Sequence, residues 1–337
     1  MNVLLLADPS PSLRMRALTE LDAAPTGDLE VKSLRRAIAK SPEVERALAS
    51  RRPDVAALSY LLCRLAYLRY EGPEVTDIAE ELFDAQERDG SWPLWADEEP
   101  KKNKRTPRAR PRSEGWQMIP LQTSLPLRGL ASVGFATDPR AERAYEWLLS
   151  KRLEDGTWPG DTKADLPVGG KVGGRTPGYR RLPRSPGCRS ATTGAVAALS
   201  LHPERRTSDD ARNPLDHLLA RETRDEWALG WEVSRLLGLE RASGKLTFYA
   251  RFDLAFLLDL ATRCGASRDD VRVADLVEFL EGLRGPYGLW EHPSHPQLSR
   301  WLTLDLETSQ QRLESGDWSG SDVRVDSTPY PKGRRRN

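Results

Sequence analysis

Apolar side chains recur at three- and four-residue spacing along most of the chain. The pattern is clearest in VAALSYLLCRLAYL (55–68), TDIAEELFDAQ (76–86), SLPLRGLASVG (124–134), AERAYEWLLSKR (141–152), ATTGAVAALSLH (191–202), FDLAFLLDLATRC (252–264) and VADLVEFLEGL (273–283). Such spacing puts the apolar groups on one face of a helix, and no long alternating run of β-branched residues competes with it. TDPR (137–140) and SRDD (267–270) carry the Ser/Thr/Asp and Pro chemistry that opens a helix. The first 50 residues differ: 8–25 and 28–50 read as short, charge-rich amphipathic helices, a cap on the larger body or a docking piece.

Between the helical segments a polar turn motif recurs. Gln86, Gly90 and Trp92 stand in QERDGSW; Arg152, Gly156 and Trp158 repeat the spacing in RLEDGTW; Arg284, Gly288 and Trp290 repeat it in RGPYGLW. The first two tryptophans are 66 residues apart and the next gap is twice that, which predicts a worn copy near residue 224; RETRDEW supplies it, with Trp227. Trp147-Leu148 and Phe279-Leu280 precede two of the copies. Each unit therefore reads as helix, short turn, second helix and G-x-W loop, with a period near 66. Glycine is expected to end the second helix in a left-handed conformation. The tryptophan should fold back to bury its ring over the helix end, and the Gln or Arg should bond the last open carbonyls. The motif is a structural staple.

This Q-x3-G-x-W pattern resembles the QW motif of squalene–hopene cyclases and related terpenoid cyclases, whose α/α-toroid fold is shared by protein prenyltransferase β subunits. The resemblance covers about residues 54–315. It implies an all-α chain whose inner and outer helices alternate around a ring, with a central cavity for an isoprenoid or similar apolar ligand. By the same resemblance the inner helices begin near Leu121, Cys188, Tyr249 and Ser299. The D-x-D-D and D-D-x-x-D signatures of those enzymes do not occur here, and Asp209-Asp210 and Asp269-Asp270 fall where helix N-termini are expected. Prenyltransferases hold zinc through Asp, Cys and His; Cys188, His292, His295 and Asp305 are the weak candidates, and no third ligand is marked out beside HPSHP, so no metal or cofactor is expected.

The presumed inner helices open on Gln122, Arg189, Arg251 and Arg300. If the three arginines project to one end of the cavity they form an anion site beside helix N-termini, with Trp116, Tyr249 and Trp301 as aromatic walls for an apolar tail. The alternative is ion pairing within their own helices, with Asp253 or Asp305. Two functions follow: an isoprenoid-binding toroid, with terpenoid chemistry lacking the usual acidic motifs, or a non-catalytic toroid that binds a lipid, peptide or protein.

Composition narrows the partners. The net charge is +1 over 337 residues, with 30% charged side chains, so no global field points to nucleic acid. No stretch is long and apolar enough to span a membrane, and three distant cysteines argue against a disulfide framework, which suggests a cytoplasmic location. PKKNKRTPRARPR (100–112) reads as a solvated insertion, and the glycine- and proline-rich 159–187 lacks phosphate-loop spacing but would suit a lid. The expected organisation is an N-terminal helical segment (1–50), a toroid domain (51–315) and a disordered tail (316–337).

Overall fold

The computed structural model describes residues 3–93, 119–160, 182, 185–220, 228–240, 246–321, 325 and 327–330. Trp116, Trp227, the basic insertion and residues 161–181 and 183–184 of the glycine-rich stretch lie outside the described residues.

The chain is all-α, and among the described residues β-pairing is confined to two isolated bridges. The N-terminal segment holds α1 (Val3–Leu6), α2 (Pro11–Arg16), α3 (Leu29–Ile38) and α4 (Pro42–Ala49). Then come α5 (Val55–Tyr67), α6 (Pro73–Asp84), α7 (Pro120–Ser132), α8 (Pro139–Ser150), α9 (Arg189–Leu199), α10 (Asp209–Leu219), α11 (Trp231–Leu236), α12 (Leu254–Arg263), α13 (Val271–Glu281) and α14 (Ser299–Leu313). The starts follow the sequence signals. Asp54, Asp138, Asp253 and Asp270 each accept a backbone N–H at their helix N-terminus, and Pro139 occupies the first position of α8. The Asp209-Asp210 pair lies in the first turn of α10, where carboxylates favour the helix dipole.

Burial separates two kinds of helix. α7 and α9 are buried almost all round, as helices at the centre of a protein must be, whereas α6 and α8 bury one face. α5 packs on α7, α7 on α9 and α12 on α14, while α6, α8, α10 and α13 flank α5, α7, α9 and α12. One continuous hydrophobic core runs from Leu5 to Tyr330. The N-terminal helices belong to it, through Leu13, Met15 and Ala17. So does part of the segment expected to be a disordered tail: Trp318 is buried and its backbone carbonyl accepts from Ser267, and Tyr330 stacks on Phe279. Two aromatic rings seated on apolar surface outweigh the polar composition around them.

The three G-x-W loops are alike in atomic detail. Trp92, Trp158 and Trp290 are fully buried. Their indole N–H groups donate to the carbonyls of Leu82 (2.6 Å), Leu148 (2.8 Å) and Leu280 (2.7 Å), in the last turns of α6, α8 and α13. Their backbone N–H groups donate to the hydroxyls of Thr123, Thr192 and Thr303 on α7, α9 and α14. Each loop thus ties the end of a flanking helix to the next central helix. Two expectations are corrected. The glycines do have positive φ, but they lie in the turn beyond the helix end, whose capping residues are Ala85, Lys151 and Gly282. Gln86 and Arg284 bond the carbonyls of Gly90 and Gly288 instead of helix-terminal ones, because the indole has already taken a carbonyl of the last turn; Arg152 pairs with Asp210.

Gly90 and Gly288 separate conformation from contact. Both are left-handed, at φ +94° and +73°. A Cβ on Gly90 would stand 2.6 Å from the Arg143 carbonyl oxygen of α8, whereas one on Gly288 meets nothing within 4 Å. Gly288→Ala should therefore cost about 1–2 kcal/mol from backbone strain alone, and Gly90→Ala about 1–3 kcal/mol more from overpacking. Urea unfolding of the two variants checks this; equal losses would show that the contact with α8 is relieved freely.

Candidate functional site: a charged central cavity

A cavity of about 210 Å³ is walled by residues of α5, α7, α9, α11, α12 and α14, and by Arg16 and Glu20 from the N-terminal segment. Its apolar wall includes Phe256, Leu260, Leu302 and Ala197. Its most distinctive feature is charge: five arginines and five carboxylates line it.

One set of charges sits between α7, α11 and α12. Arg128 donates to one Glu232 oxygen at 2.6 Å, and Arg235 donates to the other. All three side chains are at most 10% exposed. Burial opposes ionisation of Glu232, but the two guanidiniums prevail and hold its pKa below the usual carboxylate value. Asp253 stands beside them, accepting the N–H groups of Gly230, Glu232 and Ala255 at 3.2, 2.7 and 3.0 Å. Burial still pushes its carboxyl up. Burial likewise pushes the Cys63 thiol up to about 11, which keeps it protonated and unreactive near neutral pH. Among the described residues, neither Arg128 Nη1 nor the Tyr60 hydroxyl has a hydrogen-bond partner.

The second set joins the N-terminal segment to α5, α12 and α14. Arg16, at the end of α2, grips Glu20 through Nε (2.8 Å) and Nη2 (3.0 Å), and Nη2 also reaches Asp305 at 2.9 Å. Glu20 lies in a π-helical turn, Ala17–Leu21, and takes a second guanidinium, Arg69, at 2.5 Å. The Tyr67 hydroxyl donates to Asp305 at 2.8 Å, and the Tyr67 ring lies under Arg16 and against Trp301. Asp259 is held between Arg263 (2.8 Å) and Arg312 (2.6 Å). Burial would raise its pKa, yet the two arginines lower it to about 2. Asp305 goes the other way. Burial raises its pKa to about 6, Arg16 and Tyr67 only partly offset that, and Asp259 adds to it.

The sign of the resulting pH dependence is fixed. A carboxyl whose folded pKa lies above its unfolded value stabilises the fold at low pH, and the contribution is lost as pH rises through the folded pKa. Asp305→Asn removes that loss, so its stability relative to the parent should improve between about pH 5 and about pH 7.5. Urea unfolding at the two pH values checks it; a difference that is flat or of opposite slope would show that Asp305 ionises normally.

The residues singled out from the sequence do not gather at this cavity. Arg189 lies over the Phe252 ring, Arg251 is exposed and lies over Trp231 at 3.7 Å, and Arg300 pairs with Asp8 at 3.1 Å. Their intrahelical alternatives are not seen either, since Asp253 is taken up by backbone N–H groups and Asp305 by Arg16 and Tyr67. Gln122 caps α7 through the Ile119 N–H, Tyr249 packs on Tyr60, and Trp301 packs on Tyr67. None of these side chains is part of the cavity lining.

The weak zinc candidates have other work. His292 Nδ1 accepts the backbone N–H groups of Ser294 and His295, so its Nε2 carries the proton facing Gly230 O and Ser234. His202, in the parallel His-Pro turn, accepts from Glu204 and Arg205 and meets Glu142. Cys188 is buried as the residue before α9. Among the described residues no cluster of three His, Cys, Asp or Glu side chains could hold a metal ion, and no helix is long and apolar enough to cross a membrane.

Apart from Asp253 and Asp305, which the sequence singled out in other roles, the cavity residues were missed because each has an ordinary local excuse. Arg263 follows Asp259 by four positions, like any surface pair on a helix. Arg128 carried a usable signal, as the sole charge in the apolar run SLPLRGLASVG.

No family model matches the chain, and no curated protein matches it. Among solved structures, the crystal structure of a protein from Actinoplanes is similar over 90% of this chain and 74% of that one, at 12% identity and a TM-score of 0.27, a likeness too slight to bear on fold or activity.

Proposed function

We propose that the helices form an α/α toroid of the terpenoid cyclase and protein prenyltransferase type, and that its central cavity binds a small polar molecule. The cavity carries this reading, because residues of α5, α7, α9, α12 and α14 all contribute to one space. The three matching G-x-W loops support the repeat, and Tyr67 of α5 packed on Trp301 of α14 supports closure of the ring. The resemblance implied an isoprenoid. Two features favour a smaller, polar ligand instead: ten charged side chains on the wall, and a volume of about 210 Å³, below the roughly 300–1,000 Å³ of cavities that enclose drug-sized ligands. Binding is favoured over cyclisation because each carboxylate on the wall is engaged by a guanidinium or by backbone N–H groups.

Mass spectrometry of compounds released from the purified, denatured chain should show a small polar molecule. Adding it back at about a hundredfold excess over its Kd should stabilise the protein by about 2.7 kcal/mol. Stronger stabilisation by an isoprenoid diphosphate than by any small polar compound would return the ligand to the isoprenoid class. Stabilisation by neither would sink the binding reading.

A further inference from the structure

The cavity end formed by the N-terminal segment is unevenly charged. Four guanidiniums, Arg16, Arg69, Arg263 and Arg312, share three carboxylates, Glu20, Asp259 and Asp305. All seven groups line the cavity. Arg16 is 6% exposed, and its fork is only partly used: Nε and Nη2 serve Glu20 and Asp305, while Nη1 is buried and, among the described residues, has no hydrogen-bond partner. A buried guanidinium N–H left unpaired is costly, and a fourth guanidinium among three carboxylates leaves the partly exposed cavity end with an excess positive charge. Both are relieved by one further anionic oxygen. Asp305 adds to the imbalance whenever it is protonated, since burial favours its neutral form.

We infer that this end of the cavity binds the oxyanion group of a small ligand, a carboxylate or phosphoryl group, recognised by Arg16 with Arg69, Arg263 and Arg312 around it. The inference rests on the cavity being a ligand site, and it names the ligand's chemistry. Planar guanidiniums suit both kinds of oxyanion because their N–H groups fork toward two oxygens at once. The rest of the ligand lies toward Phe256, Leu260 and Leu302. Because Arg16 and Glu20 come from the first 21 residues, the site is incomplete without the N-terminal segment, which gives that segment a role in recognition.

Calorimetric titration of the full chain with inorganic phosphate and with succinate, at low ionic strength, tests this. At least one probe should bind, and which one binds more tightly distinguishes a phosphoryl from a carboxylate ligand. Arg312→Gln should weaken that binding by about tenfold or more, as loss of a charged hydrogen bond does. Arg69→Gln, at a side chain 45% exposed, gives a second reading should Arg312→Gln fail to fold. Arg284→Gln, which removes a guanidinium that lies over Trp290 and pairs with Glu307, should leave binding unchanged. Absence of binding by either probe up to roughly 10 mM, or equal weakening by all the arginine variants, would overturn the inference. A neutral molecule released from the purified protein would overturn it too, while leaving the cavity itself a ligand site.

Discussion

Trp158→Ala should lower the free energy of unfolding by about 3–5 kcal/mol, the cost of emptying a fully buried aromatic site. The ring has no exposed surface, its N–H is bonded to Leu148 O at 2.8 Å, and its backbone N–H is bonded to Thr192. Trp158→Phe keeps most of the apolar area and strands the Leu148 carbonyl, so it should cost less, about 1–3 kcal/mol. Trp92 and Trp290 donate to a Leu carbonyl at the same offset and to a Thr hydroxyl through the backbone, and should behave alike. Urea unfolding followed by circular dichroism measures all three. A loss below roughly 0.5 kcal/mol for any alanine variant, the scale of an unremarkable surface change, would mean that its loop is not part of the cooperative core.

Glu232→Ala should be as damaging for a different reason. It leaves Arg128, which lines the cavity, and Arg235 without the carboxylate that both share, and removing one partner of a buried ion pair costs about 3–5 kcal/mol. The diagnostic is the triple variant Arg128→Met, Glu232→Leu, Arg235→Met. Removing all the charges together also removes their desolvation cost, so much of the lost stability should return. A triple variant less stable than Glu232→Ala would show that the network itself contributes net stability. Ligand binding separates the roles: the triple variant should lose it wherever the ligand uses Arg128.

Much of the helical architecture was legible because it depends on local spacing. The apolar periodicity marked α5 to α9, α12 and α13, and Asp and Pro marked several starts, because capping is satisfied within a few residues of the cap. The tryptophans were legible as buried staples for the same reason. Their threonine partners were not, because Thr123, Thr192 and Thr303 lie 31, 34 and 13 residues downstream, with no common offset. The site was the least legible part. Arginines at helix starts, Arg189, Arg251 and Arg300, attracted notice through matching positions, but which way a guanidinium turns depends on neighbours supplied by distant segments. Phe252, Trp231 and Asp8 claim those three. Conversely, Arg16 gave no sign in a charge-rich amphipathic stretch that it would meet Asp305. The tail was misread because composition measures average polarity, whereas Trp318 and Tyr330 need only two apolar footholds.

The seam at Tyr67, Arg16 and Asp305 has a consequence for biosynthesis. Its partners are 238 and 289 residues apart in the chain, so the contact cannot form until α14 has left the ribosome. Until then Arg16 and Tyr67 have no Asp305 to dock against, and the apolar faces of α5 and α14 wait on a late, long-range closure of the kind that slows folding and leaves surface open to aggregation. Growing chains stalled shortly before residue 300 should therefore engage holding chaperones, and release should follow once α14 is translated.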